Sequence, residues 1–458
     1  MNIFKKQKDY LKWLFRKPSI NFDRKLKAKD VVELFKTGNL YELRNLLPKQ
    51  KGLSRKETLI TLGIAGFIGV VSSFVLGNPI PFFMVLAITY GSEYAFNSAT
   101  TAGTSVAVLD STHFVVAYTD TGNSSYGTAI IGVISGTTIA YGSEYPFNEA
   151  STSNSSVSAL DATHFVVSYT DAGNSSYGTS IFGTVANGDE ISYGAESNFN
   201  EASTAHISSV KISSTTFVVS CRDTGAGGDG TSLIGTVSGT TISFGSEYTF
   251  TTSALYTSTI LLDSTHFIVS YRDGAVTNYG TSNIGTITGT AIAFGSKYVF
   301  NSARSDYVYS TLLDSTHFVV SYQDVDNSGY GTSVVGVISG ATITFGSEYP
   351  FIEGYVYNPT TLKVDSTHFI ISCRDYSGTQ GGAGTSLVGT VANGDELSYG
   401  DSVVFNAGDN TFISSAMIDS TDFVVSYIDT VNSSYGTAII GEYTAPVTAN
   451  TGAFFQLF

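Results

Sequence analysis

A chain of 458 residues with 38 Asp and Glu against 23 Lys and Arg carries a net charge of −15, and that charge is unevenly placed. Residues 1–57 hold 16 of the basic residues and 6 of the acidic ones, leaving 7 against 32 for the rest. The acidic, Ser-, Thr-, Gly- and Tyr-rich remainder argues against a nucleic-acid partner, because neutralising phosphates needs clustered Lys and Arg.

The basic segment 1–57 includes the single Trp, Trp13. A helix is predicted after Asp30, where Glu33 stands three residues on as in a capping box and Val31, Leu34 and Phe35 form an apolar stripe. From Thr58 to Ser92 no residue is charged, and the stretch 58–76 (TLITLGIAGFIGVVSSFVL) is apolar over a length that spans a bilayer as a helix. Lys49, Lys51, Arg55 and Lys56 precede it and Glu93 is the first charge after it. The positive-inside rule therefore places the N-terminus in the cytoplasm and the remaining residues outside. A short tether, 77–86, opens with GNPIP.

Two export signals are resembled at this point. Ser54, Arg55, Lys56, Glu57, Thr58 and Leu59 resemble a twin-arginine signal, with Lys56 in the place of the second arginine. Gly52 and Glu57 resemble a type IV prepilin signal, in which cleavage follows the glycine. No small-x-small cleavage site follows Leu76, so an uncleaved signal anchor at 58–76 is expected, with secretion after cleavage as the alternative.

A run of about 51 residues then repeats seven times. Its first turn falls at Asp110, Asp161, Ser213, Asp263, Asp314, Asp365 and Asp419. Within the copy that starts near Ser155, four strands are predicted: SSVSAL, then THFVVSY alternating with period 2, then GTSIFGTV, then EISYGAESNF, each bounded by turn residues. Four short strands per copy make one propeller blade. The fold expected is therefore all-β, a seven-bladed β-propeller of four-stranded blades preceded by a single transmembrane or signal helix.

The last copy lacks its fourth strand and gives way to a tail, 443–458. An orphan fourth strand, AITYGSEYAFN (87–97), stands before the first copy. Pairing the two would close a propeller over 87–442 and remove two exposed sheet edges. In this closure the chain resembles kelch-like propellers, without any family signature motif.

Comparison of the copies separates uniform from variable positions. Phe114, Phe165, Phe217, Phe267, Phe318, Phe369 and Phe423 fill one slot and are expected between blades. Gly127 and its counterparts through Gly436, at the start of GTS or GTA, read as backbone turns. His113, His164, His266, His317 and His368 lie in the first turn, replaced by Thr216 and Asp422, and read as turn and packing residues. Cys221 and Cys373 replace the Tyr of VVSY in copies too far apart for a disulfide and read as buried apolar side chains. Asp120, Asp171, Asp223, Asp273, Asp324, Asp375 and Asp429 begin the second-to-third-strand loop and read as structural turn carboxylates. That loop resembles the Asp-box of sialidases through Asp171, Gly173 and Tyr177. No metal site and no cofactor are expected.

The variable stretches are TTAGTS, ASTSNSS, ASTAHIS, TTSALYTS, SARSDYVYS, EGYVYNPT and AGDNTFIS, taken as loops connecting the blades. Seven residues before each first turn stand Gly103, Asn154, His206, Tyr256, Tyr307, Asn358 and Phe412. Candidate binding residues are His206, Tyr256, Tyr307, Tyr309, Tyr355, Tyr357 and Phe412, since aromatic faces beside Asn, Asp and Ser suit sugar rings or an extended partner. The function expected is a membrane-anchored, extracytoplasmic module that binds a glycan, an envelope polymer or a protein without chemistry. A polysaccharide-active enzyme would need paired acids, for which Asp306, Asp324 and Asp326 are the one cluster available. A structural surface or filament component is the third reading.

Overall fold

The computed structural model describes residues 87–377 and 381–444. Among them the regular elements are β-strands, together with two three-residue 3-10 turns, Thr121–Asn123 and Ala172–Asn174. The basic segment 1–57 with its predicted helix, the apolar span 58–76, the tether 77–86 and the tail beyond Thr444 lie outside the described residues. No helix among the described residues is long and apolar enough to cross a membrane.

The second strand of each copy anchors the pattern: His113–Asp120, His164–Asp171, Thr216–Asp223, His266–Asp273, His317–Asp324, His368–Asp375 and Asp422–Asp429. In the first copy it pairs antiparallel with the strand before it, from Val108↔Phe114 to Thr101↔Asp120. On its other side it pairs with Tyr126–Ser135, from His113↔Val133 to Asp120↔Tyr126. That third strand in turn pairs with Thr138–Tyr141 and the start of Tyr145–Ala159. Each copy is thus an antiparallel meander in the order of the chain.

The period-2 alternation expected of the second strand is not what its burial shows. Phe114, Val115, Val116, Ala117 and Tyr118 are all fully buried. Both faces are covered, because Val115 and Ala117 pack toward the next copy while Phe114, Val116 and Tyr118 pack toward the last one. A strand covered on both sides reads as a continuous apolar run.

The variable stretches also depart from expectation, since most are strand and not loop. Tyr145–Ala159, Ser197–Lys211 and Tyr349–Lys363 each run unbroken from the fourth strand of one copy into the first strand of the next. Ala87–Val108 and Ala291–Leu312 do so over 22 residues. Within the variable stretches the strand breaks only at 252–253 and 407–409.

The glycines that open GTS and GTA are likewise inside strands. A Cβ on Gly127 would come within 2.4 Å of the Phe147 ring, and one on Gly132 within 2.2 Å of Phe114. Both clashes recur in every copy, as at Gly436 against Phe96 and Gly441 against Phe423. These glycines make room for cross-strand phenylalanines; they do not turn the chain.

Seven apolar clusters occur among the described residues, each drawn from two consecutive copies. One of them joins the ends of the repeat region, combining Phe96, Val106 and Phe114 with Val424, Ala438 and Ile440. The N-terminal strand pairs with the last strand from Ala87↔Thr444 to Thr100↔Tyr435. Tyr427 Oη donates to Glu93 Oε1 across this junction at 2.9 Å, as Tyr118 Oη does to Glu144 within the first copy at 2.7 Å.

Candidate functional site

The first strands are small and polar because they approach one another closely. The Val157 N–H donates to Ser105 Oγ (3.0 Å), Ser209 N–H to Ser156 Oγ (2.9 Å), Thr259 N–H to Ser208 Oγ (2.9 Å) and Ser310 N–H to Ser258 Oγ (2.9 Å). The last copy reaches the first in the same way, with Val106 N–H donating to Ser414 Oγ at 3.1 Å.

Just before this belt each first strand bulges. The ladder slips between Ala102 and Thr104, between Ser153 and Ser156, and at the matching place in every other copy. One residue per copy takes the left-handed conformation there: Gly103, Asn154, His206, Tyr256, Tyr307, Asn358 and Phe412, with φ between 47° and 52°. A bulge re-aims the side chain it carries. The seven positions counted from the first turn are therefore equivalent in geometry as well as in sequence.

Six of them, all but Gly103, line one cavity of about 240 Å³. Its lining includes Thr104, Asn154, His206, Tyr256, Tyr307, Asn358 and Phe412, one residue from each copy, together with Tyr309. Three of its aromatic side chains touch in sequence, His206 to Tyr256 at 5.0 Å and Tyr256 to Tyr307 at 4.8 Å, and the ring contacts run on outside the cavity from Tyr307 to Tyr357 and from Tyr357 to Tyr355, both at 5.5 Å. Tyr307, Tyr355, Tyr357 and Asn358 also border a second, adjacent hollow with Arg374 and Tyr376. Phe412 lies in the cavity wall and is 49% exposed. The first two copies carry small residues, Gly103 and Asn154, at the bulge position.

The arginines of this rim were not singled out from the sequence. Arg222, Arg272 and Arg374 occupy one slot of the second strand, immediately before the loop Asp, where the other copies have Thr119, Thr170, Gln323 and Ile428. The Arg272 guanidinium lies 5.0 Å from the Tyr256 ring centre, and Arg374 lies between Tyr357 (5.8 Å) and Tyr376 (4.9 Å). Arg374 clasps Asp409 in two hydrogen bonds of 2.8 and 2.7 Å. Arg272 pairs with Asp306. A legible signal existed, because this slot varies within an otherwise uniform strand.

Electrostatics at the ring follow from burial. Burial pushes the His206 imidazole down to about 4, and the charges of Arg222 and Arg272 add to the effect. Burial also pushes the Tyr307 phenol up to about 12, with Tyr256 and Tyr357 contributing. At neutral pH the His206 imidazole and the Tyr307 phenol are thus uncharged.

The loop carboxylates hold their own turns. Asp171 Oδ1 accepts the N–H groups of Gly173 (3.0 Å) and Asn174 (3.2 Å), Asp223 those of Gly225 (2.9 Å) and Ala226 (3.1 Å), and Asp429 those of Val431 and Asn432 (both 3.2 Å). Asp120, Asp273, Asp324 and Asp375 each accept at least one such N–H. Asp273 also takes the Lys297 ammonium at 2.7 Å. The acid cluster nominated for catalysis is engaged elsewhere: Asp306 is held by Arg272 and Arg304, and Asp326 Oδ2 accepts the Arg304 N–H at 3.0 Å.

The first-turn histidines stay local, as His164 Nδ1 lies 2.8 Å from Asp161 of its own turn. Cys221 and Cys373 are free and buried, and burial pushes the Cys221 thiol up to about 12. No group of three or more His, Cys, Asp or Glu among the described residues is gathered closely enough to hold a metal ion.

No protein-family model matches the chain, and no curated protein matches it. Among solved structures it is similar to a protein of unknown function from Dyadobacter fermentans, with a TM-score of 0.48 and 10% identity over 78% of this chain and 99% of that one. It is also similar to a hypothetical selenium-binding protein from Sulfolobus tokodaii, with a TM-score of 0.45 and 9% identity over 65% of this chain and 76% of the other.

Proposed function

We propose that residues 87–444 form a closed seven-bladed β-propeller whose axial cavity binds a saccharide without chemistry. Closure is supported by the pairing of Ala87–Thr100 with Tyr435–Thr444 and by the apolar cluster that joins the last copy to the first. The binding role rests on one observation. The bulge demands φ near +50°, which glycine and asparagine adopt at little cost, and three copies use them. Four copies instead carry His206, Tyr256, Tyr307 and Phe412 there, at a cost of about 1 kcal/mol each. Strain retained in the lining of a cavity, with His206, Tyr256 and Tyr307 in successive ring contact, is the mark of side chains kept for what they touch. Aromatic faces beside Asn154 and Asn358 suit the apolar face and hydroxyl edge of a pyranose ring.

The location follows from the sequence. The step from a basic segment to a long uncharged apolar span, and then to an acidic repeat region, supports an anchor at 58–76 with the propeller outside the cytoplasm. A reporter active only outside the cytoplasm, fused after Phe458, should give signal; activity confined to a cytoplasmic reporter would overturn the topology.

The binding role is tested on a glycan array with the full-length protein and a Tyr256→Asn, Tyr307→Asn double variant. Asparagine keeps the left-handed backbone and removes only the rings. Array signals should appear for the parent and fall in the variant, with the melting temperature little changed. Signals that survive both substitutions would refute the axial site.

A further inference from the structure

The rim is asymmetric in charge, and this asymmetry bears on which saccharide it takes. Of the three arginines at the common slot, two have an acidic partner: Arg272 has Asp306, which it shares with Arg304, and Arg374 has Asp409. The Arg222 side chain has no ion pair or hydrogen bond among the described residues, and its buried Nε lacks an acceptor. The acids that serve its counterparts come from the first strand of the following copy, and in the copy after Arg222 Leu255 stands in the place of Asp306 and Ser253 in the place of Asp409.

Its placement is fixed by the sheet. Arg222 is in register with Ala205, the residue before His206. Its guanidinium rests against Gly228, where a Cβ would come within 2.8 Å of Nη2. The glycine thus leaves room for the side chain beside the loop, from where its charge acts on the His206 imidazole. Gln323, at the same slot and 2% exposed, also leaves its Nε2 without an acceptor.

A half-buried guanidinium without a counter-ion costs free energy that an anionic ligand would recover. The setting matters as well, because the residues beyond Glu57 carry 32 acidic against 7 basic side chains. Such a background repels anions in general, so an uncompensated cation at the ring is a selective point of attraction.

We propose that the axial cavity takes a carboxylate-bearing sugar, with the pyranose ring against Tyr256 and Tyr307 and the carboxylate on the Arg222 guanidinium. This rests on the saccharide reading of the same cavity and narrows it to acidic glycans. A guanidinium meets a carboxylate in two parallel hydrogen bonds, which fixes orientation as well as affinity. Neutral sugars leave Arg222 unpaired.

The test is calorimetric titration of the full-length protein with a panel of uronate and sialate oligosaccharides, each beside its uncharged counterpart. At least one acidic member should bind about tenfold or more tightly than its neutral partner, as expected for a charge-assisted pair. Arg222→Gln should bring that member down to the level of its neutral partner, and Arg222→Lys should retain part of the preference. Added salt should weaken only the acidic member. Equal binding of acidic and neutral members, or a preference that persists in Arg222→Gln, would overturn this proposal while leaving a saccharide site standing. Absence of binding by every member sinks both.

Discussion

A tyrosine at φ of +52°, matched by a histidine and a phenylalanine in other copies, is the residue-scale feature that separates this site from the scaffold. Phe412 isolates the cost, because it is half exposed and joins no ring contact among the described residues. Replacing it with asparagine relieves the strained backbone and gives up partial burial, so the two effects offset. Phe412→Asn should change stability by no more than about 1 kcal/mol in urea melts. Phe423→Ala, at a fully buried slot in the same copy, should cost about 3–5 kcal/mol. The signal for the bulge was present in the chain, since Gly103, Asn154 and Asn358 are the residues that favour the left-handed region. It was hidden by aromatics in the same slot, which disfavour that region, and variation there reads as loop drift. The first-turn acids make a second residue-scale case. Burial raises the pKa of Asp314, but the Thr316 hydroxyl and N–H and the His317 ring outweigh it and hold the carboxyl down to about 2. A folded value below the unfolded one of about 3.9 stabilises the protein above that pH. The contribution fades as pH falls from about 4 through about 2. Asp314→Ala should therefore lower the melting temperature at pH 7 and leave it close to that of the parent at pH 2. The effect stays under about 1 kcal/mol because the side chain is 36% exposed and solvent screens it.

At the scale of the strand, each third strand carries two glycines because two phenylalanine rings cross it. Phe114 is opposite Gly132 in the ladder, and Phe147 lies over Gly127. Because Phe114 is fully buried, a methyl at 132 has nowhere to go. Gly132→Ala should cost about 1–3 kcal/mol by overpacking, whereas Gly136→Ala, with nothing within 4 Å, adds no contact and meets only the penalty of its positive φ. A thermal melt of the pair separates steric from conformational loss. Existence and order of the strands were legible from the period and the recurrent Phe, Gly and Asp. Two things were not. Alternation in THFVVSY disappears once neighbouring sheets cover both faces, which one copy alone does not reveal. The continuity of Tyr145–Ala159 and its counterparts was masked by Ser, Thr, Asn and Gly, residues that mark loops elsewhere but here let first strands pack closely through hydroxyl to backbone bonds.

For the whole molecule, the decisive feature is the offset of the repeat against the chain. A fourth strand without a beginning at 87–97 and a last copy without an ending are enough to suggest that the ends meet, and the observed register joins Glu93 to Ile439 and Tyr94 to Ala438. What the sequence could not show is how strong that junction is compared with the six internal ones. The contacts make them alike. Phe96 is 5% exposed and would clash at 2.2 Å with a Cβ on Gly436; Phe147, its internal counterpart, is 4% exposed and sits against Gly127 in the same way. Asn406 Nδ2 donates to Glu93 Oε1 at 2.9 Å and so links the sixth copy to the N-terminal strand as well. If the seventh interface is equivalent, Phe96→Ala should destabilise the protein as much as Phe147→Ala, by about 3–5 kcal/mol each. If the N-terminal strand instead frays from the last copy, truncating its phenylalanine removes a contact that is seldom made, and the loss shrinks toward zero. Side-by-side denaturant melts of the two variants measure the difference directly. A Phe96→Ala loss well below that of Phe147→Ala would mean an open array with a loosely docked end, and an axial cavity lacking the fixed Thr104 side that the ring requires.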